Sequence, residues 1–202
     1  MLPCLAFSRR AAGFTSAITF ALLGFLLITT NPAAAKPPKA KGGPKVTMVI
    51  EKRGTITIEL MPKAAPKTVA HFLSLVKKKF YDGILFHRVV EGFVAQAGDP
   101  KSKEVKPEDI PTAEAAQARG LGVGGSGENV PLETGQAHEK GTLGLARSAA
   151  PDSGDSQFFL NLVANHRLDS GYCVFGKIAD KKGLEVMDKI KQGDRITSIR
   201  VK

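Results

Sequence analysis

The sequence predicts a mainly β fold, an antiparallel barrel or sandwich with helices over its open ends. Three observations predict it. Short runs rich in apolar and β-branched residues recur through residues 46–202, each bounded by Gly, Pro, Asn, Asp or Ser. Only two longer stretches carry helical spacing. Strands and helices do not alternate, so a parallel βαβ sheet is excluded, and no internal repeat is present.

Residues 1–35 stand outside this pattern. Arg9 and Arg10 precede an uncharged, largely apolar run over 11–30. Asn31-Pro32 breaks the run, and Ala33-Ala34-Ala35 supplies small residues for cleavage. This is the layout of a secretory signal peptide cut after Ala35. The run is also long enough to span a bilayer, so an uncleaved anchor is the alternative. The expected location is therefore the periplasm or the exterior, or else the membrane surface.

Residues 36–45, "KPPKAKGGPK", read as a Pro/Gly/Lys linker with nothing to bury. The domain is expected over 46–202. "VTMVIEK" and "GTITIEL" form a hairpin around Arg53-Gly54, with Ile56, Ile58 and Leu60 alternating against Thr57 and Glu59. A helix follows over 64–78, with Pro66 in its first turn and Val69, Phe72, Leu73 and Val76 in one stripe. After Asp99-Pro100 comes a charged surface excursion over 101–119, with at most a short helix near 114–119. "GTLGLAR", "SQFFLNLV" and "GYCVFGKIA" are strands. A short amphipathic helix spans 183–191, and "ITSIRVK" closes the chain. The count is about eight strands and two helices.

Composition excludes several functions. The 202 residues are 43% hydrophobic and 24% charged, with net charge +10. Removing residues 1–35 removes two arginines and no acid, leaving 27 basic and 19 acidic residues, a net of +8. The lysines are scattered, with no basic helix and no aromatic interleaving, so nucleic acid is not a partner. One cysteine, Cys173, remains in the mature chain; it cannot form an internal disulfide and reads as a small core residue. His71, His87, His138 and His166 are isolated, so no metal or other cofactor is expected. Gly122, Gly124 and Gly127 match G-x-G-x-x-G, but Pro131 and a loop follow where a helix should open. No G-x-S-x-G elbow supports serine hydrolysis.

"LFHRVVEGFVAQAGDP", residues 85–100, poses the functional question. Strand alternation puts Phe86, Arg88 and Val90 on one side and His87 on the other. A lone arginine on an apolar face either snorkels or is aimed at something. His87 reads as a packed, hydrogen-bonded residue and not a base. "SQFFL" sends Phe158 and Phe159 to opposite faces, one to the core and one to a pocket.

"FHRVVEGFVAQAGD" resembles the cyclophilin signature. "GTITIELMPKAAPKTVAHFLSLV", "GTLGLARS", "DSQFFLNL" and "RLDSGYCVFGKI" also resemble cyclophilin segments, in the family's order, over residues 46–202. The resemblance implies a closed eight-stranded antiparallel barrel capped by two α-helices. It implies catalysis of cis–trans isomerisation before proline in unfolded or flexible polypeptides, by a monomer of bacterial type. Arg88, Phe93 and Gln96 would be catalytic, with Gln96 orienting Arg88. Val94, Phe159, Leu168 and Tyr172 would join Phe93 around the proline ring, and the backbone at Ala146 and Arg147 would hold the peptide. The rival class is a non-catalytic binding module on the same fold. Val94 stands where the family commonly has Met, Arg147 where Asn is common, and Tyr172 where many eukaryotic members have His. Arg167 occupies the place of the Trp of cyclosporin-sensitive members, which implies weak cyclosporin binding. The excursion over 101–119 is longer than in minimal members.

Overall fold

The computed structural model describes residues 42–202. The expected signal peptide and most of the expected linker lie outside them. The end of that linker is part of the domain. Lys45 pairs with Glu59, and the Pro44 carbonyl accepts from the Leu60 amide at 2.8 Å.

The eight strands are β1 (Lys45–Ile50), β2 (Gly54–Leu60), β3 (Arg88–Val90), β4 (Val94–Ala97), β5 (Thr142–Leu145), β6 (Phe158–Asn161), β7 (Val174–Ile178) and β8 (Ile196–Val201). They form one antiparallel sheet in the order β3-β4-β6-β5-β7-β2-β1-β8. The sheet curls until its edges meet. No ladder joins β3 to β8, but the segments leading into them exchange backbone bonds. Gly83 and Phe86 donate to Ile196 and Asp194 at 2.8 Å, and Ile196 and Gly193 donate back to Ile84 and Phe86 at 2.8 and 2.9 Å. The expected ring thus closes through a short irregular seam.

Alternation along the strands builds the core. Ala95 and Ala97 of β4, Leu143 and Leu145 of β5, and Phe158 and Leu160 of β6 all point inward. Helix α1 (Pro66–Lys77) plugs one end. Its Phe72 ring packs against Tyr81, Phe175 and, edge-on, Phe158 at 5.1, 5.2 and 6.0 Å between centroids. Leu75 completes the fully buried stripe in place of Leu73, which is only partly buried. No local side chain caps α1. Instead the distant Glu133 carboxylate accepts from the Lys67 and Thr68 amides at 3.1 and 2.9 Å. Cys173 is buried and its thiol contacts Thr68 at 3.5 Å; burial pushes its pKa up to about 11, so it stays an unreactive thiol.

Three α-helices are present where two were expected. Helix α3 (Lys181–Met187) starts two residues before the expected 183, because the Asp180 side chain caps the Gly183 amide at 2.7 Å. It ends early because Lys189 and Ile190 bond three residues back, not four. Helix α2 (Ala113–Ala118) lies in the excursion, capped by Thr112. The excursion is more than a surface loop. Ile110, Ala116 and Leu121 bury themselves on Leu85 as a small satellite core. Gln192 fastens α2 to β3: it accepts from the Val89 amide at 2.8 Å and donates to the carbonyls of His87 and Thr112.

Candidate active site

Residues 85–100 do not run as one strand. Glu91, Gly92 and Phe93 turn the chain, with Gly92 at φ +67°, and β3 folds back on β4. Register then sets Arg88 opposite Gln96 and Val90 opposite Val94. The next pairing sets Gln96 opposite Phe159, and the next sets Phe159 opposite Gly144. A Cβ on residue 144 would fall 2.3 Å from the Phe159 ring, so only glycine lets that ring lie flat over β5. Val94, Gln96 and Phe159 thereby share the outer face of the sheet, opposite Ala95, Ala97 and Phe158.

Over this face sit a 3-10 turn, His166–Leu168, and the segment behind it. Leu168 and Tyr172 come down beside Phe159, with the Tyr172 ring edge-on to Phe159 at 6.0 Å. The result is a cleft of about 240 Å³ lined by Arg88, Phe93, Val94, Gln96, Ala146, Arg147, Phe159, Leu168 and Tyr172. All nine residues singled out from the sequence meet there.

The polar groups are arranged unequally. Among the described residues the Arg88 guanidinium donates to no protein acceptor and forms no ion pair; its nearest ring is Phe93, 5.7 Å from the centroid. Gln96 does not bond Arg88. Its Nε2 donates to Gln157 Oε1 at 2.9 Å, and Gln157 Nε2 donates to the Gly124 carbonyl at 2.7 Å. The Arg147 side chain turns onto the Tyr172 ring at 4.7 Å and donates to the Gly171 carbonyl, which leaves the Ala146 and Arg147 backbone at the cleft. Arg167 lies over the Phe93 ring at 4.5 Å.

Three expectations fail here. Gln96 does not orient Arg88, because its Nε2 is committed to Gln157. Phe86 does not share a face with Arg88 and Val90, because β3 begins only at Arg88 and Phe86 drops into the core. His87 is packed but not hydrogen-bonded: it is 2% exposed and neither ring nitrogen has a partner among the described residues.

Other residues were missed. A recess of about 340 Å³ adjoins the cleft through Gln96, Ala146 and Arg147, walled by the glycines at 122, 124 and 125 and by Ser148 and Asp155. The glycine motif binds carboxylates of this chain, not a dinucleotide. The buried Asp99 accepts from the amides of Lys101, Gly122 and Gly124 at 2.9, 2.7 and 3.0 Å, and Asp155 accepts from Gly127 at 2.9 Å. Behind the pocket floor, the buried His138 ring stacks on Phe159 at 5.8 Å, and its Nδ1 lies 3.0 Å from Asp169. That contact fixes the chain just after Leu168. Nothing local in the sequence marks these partners, which are 31 residues apart.

His87 and His138 are both held below the ordinary imidazole range. Burial is the larger cause in each; Asp99 opposes it at His87 and Asp169 at His138. The unfolded chain takes up these protons near pH 6.5 while the folded chain does not. Stability is therefore complete above that pH and declines as pH falls through it, by on the order of 1 kcal/mol per pH unit for each histidine. Urea unfolding at pH 7.5 and pH 5.5 checks this, and equal midpoints would contradict it.

Residues 45–202 match the family model described as cyclophilin type peptidyl-prolyl cis-trans isomerase/CLD. A peptidyl-prolyl cis-trans isomerase of Helicobacter pylori is 41% identical over 150 residues, covering 73% of this chain and 80% of that one. Peptidyl-prolyl cis-trans isomerase B of Bacillus subtilis is 37% identical over 156 residues, covering 76% and 94%. Among solved structures, a cyclophilin type isomerase of Cryptosporidium parvum superposes with a TM-score of 0.63 at 24% identity, covering 79% of this chain and 97% of that one. The same protein has been crystallised in the presence of the dipeptide Ala-Pro.

Proposed function

The chain belongs to the cyclophilin-type peptidyl-prolyl cis–trans isomerase family and is an isomerase of proline-containing peptides, and from that premise we propose how its cleft performs the reaction. Phe93, Val94, Phe159, Leu168 and Tyr172 take the proline ring. Arg88 donates to the twisted X-Pro amide. The Ala146 and Arg147 backbone holds the substrate chain, and Gln96, fixed by Gln157, bonds the substrate and lines the wall beside Arg88. The observation that carries this is a guanidinium with no protein acceptor among the described residues, beside the apolar wall of Phe93, Val94, Phe159 and Leu168.

The chemistry follows from the amide. Partial double-bond character makes rotation slow, with a barrier of about 18–20 kcal/mol. At the twisted midpoint the proline nitrogen leaves conjugation and regains its lone pair. A donor fixed beside that nitrogen, or beside the preceding carbonyl, binds the twisted amide better than either planar form. Arginine suits this because its charge is permanent and its fork rigid. The step needs no covalent intermediate and no proton transfer.

Titration with a short Ala-Pro peptide, followed by amide NMR, tests the placement. Shifts should concentrate on the nine cleft residues. Shifts centred elsewhere on the barrel would refute it. Arg167 sets a charged guanidinium over Phe93 in place of an indole, so cyclosporin should inhibit weakly; stoichiometric inhibition in an activity titration would overturn that. The proposed setting is the periplasm or exterior and the proposed state a monomer. Export is supported by the signal-like pattern of residues 1–35, and sedimentation of the mature chain tests the state.

A further inference from the structure

A second groove, of about 320 Å³, opens beside the cleft. It shares Arg88 and Gln96 with the cleft but includes neither Ala146 nor Arg147. Val90 of β3 forms one wall, and Ala113, Glu114 and Gln117 of α2 form the other. His87 lines it between them. Gly122 lies against the imidazole edge, and both ring nitrogens are closed off from solvent.

The groove presents two side-chain acceptors at its surface, the Gln96 carbonyl oxygen and the Glu114 carboxylate, which also faces Thr112 at the start of α2. His87 is almost wholly buried, with both ring nitrogens unpartnered among the described residues. Gln96 has committed its Nε2 to Gln157, which leaves its carbonyl oxygen to accept. Glu114 is the one acidic side chain lining the groove, and Arg88, shared with the proline cleft, is the one permanent cation. Val90, Ala113 and Leu121 supply an apolar passage between these groups. Acceptors at the groove surface favour a ligand that brings donors. An aliphatic stem with a cationic end meets both requirements.

We propose that this groove is a specificity subsite for a lysine or arginine side chain of the substrate polypeptide. That residue lies on the side of the proline opposite the stretch held at Ala146 and Arg147. The proposal rests on the cleft reading above, because the groove is placed by its continuity with Arg88. Glu114 is the selecting charge and α2 the wall that carries it.

The test uses Ala-Ala-Pro-Ala peptides with lysine or glutamate placed in turn at positions on each side of the Ala-Pro pair, assayed by NMR exchange. Wild type should prefer lysine over glutamate in kcat/KM by about threefold at low salt, on one side of the proline only, as expected for an exposed charge pair. Raising salt should shrink the ratio. Glu114→Gln should bring the ratio toward one, and Glu114→Lys should invert it, an outcome that loss of folding does not produce. A ratio near one at every position in wild type, or one unchanged by both variants, overturns the subsite. Absence of any acceleration of the parent peptide would instead overturn the cleft assignment beneath it.

Discussion

Arg88→Ala should lower kcat/KM for an Ala-Pro peptide by about a hundredfold while the domain stays folded. A hydrogen bond from a charged donor contributes roughly 1.5–3 kcal/mol, which is about one to two orders of magnitude in rate. The fold should survive because Arg88 is only partly buried and satisfies no protein acceptor among the described residues. Bringing X-Pro rotation from tens of seconds to milliseconds takes about 5.5 kcal/mol, so the apolar cleft must supply the remainder by gripping the ring as the amide twists. Arg88→Lys should also fail, since an ammonium lacks the planar fork. NMR exchange spectroscopy on wild type and both variants, with thermal unfolding alongside, measures this. Turnover near wild type in a folded Arg88→Ala protein would remove Arg88 from the mechanism.

Asp99→Ala should cost about 3 kcal/mol or more of stability. The carboxylate is fully buried and receives three backbone amides. Alanine would strip all three of their acceptor at once, and hydrogen bonds to a buried charge are among the more valuable ones. Asp99→Asn should be milder, because one amide oxygen can still accept. Urea unfolding of the three proteins distinguishes them; an Asp99→Ala midpoint equal to wild type would show that the loop amides find water instead.

The cleft was legible in the sequence to an uneven degree. The faces of β4 and β6 follow from strand alternation alone, which is why Phe159 separates from Phe158 and Gln96 from Ala97. Which strands become neighbours does not follow from alternation. The pairing of Gln96 with Phe159 joins residues 63 apart in sequence, and here the resemblance to a known family carried the reading. Alternation also misled at Phe86, because it holds only where a ladder holds the chain extended. The excursion was read from its charges, and Val105, Ile110 and Ala116, with Leu121 just beyond it, are spaced too irregularly to announce a satellite core. The bonds of Asp99 and His138 depend on loops meeting across the fold, and short motifs carry no trace of such meetings.

Asp99 has one more consequence. It grips Lys101 at the start of the excursion and Gly122 and Gly124 at its end, so the two ends of this long loop are fastened at one side chain. The entropy of closing a loop grows only logarithmically with length, by about 0.6 kcal/mol for each doubling. Exposed residues between the fastenings, outside the satellite core of Ile110, Ala116 and Leu121, can therefore be added, removed or exchanged with little penalty to the barrel. The exposed positions of the excursion are thus the part of the groove wall that can change while Asp99 keeps both ends of the loop fastened to the barrel.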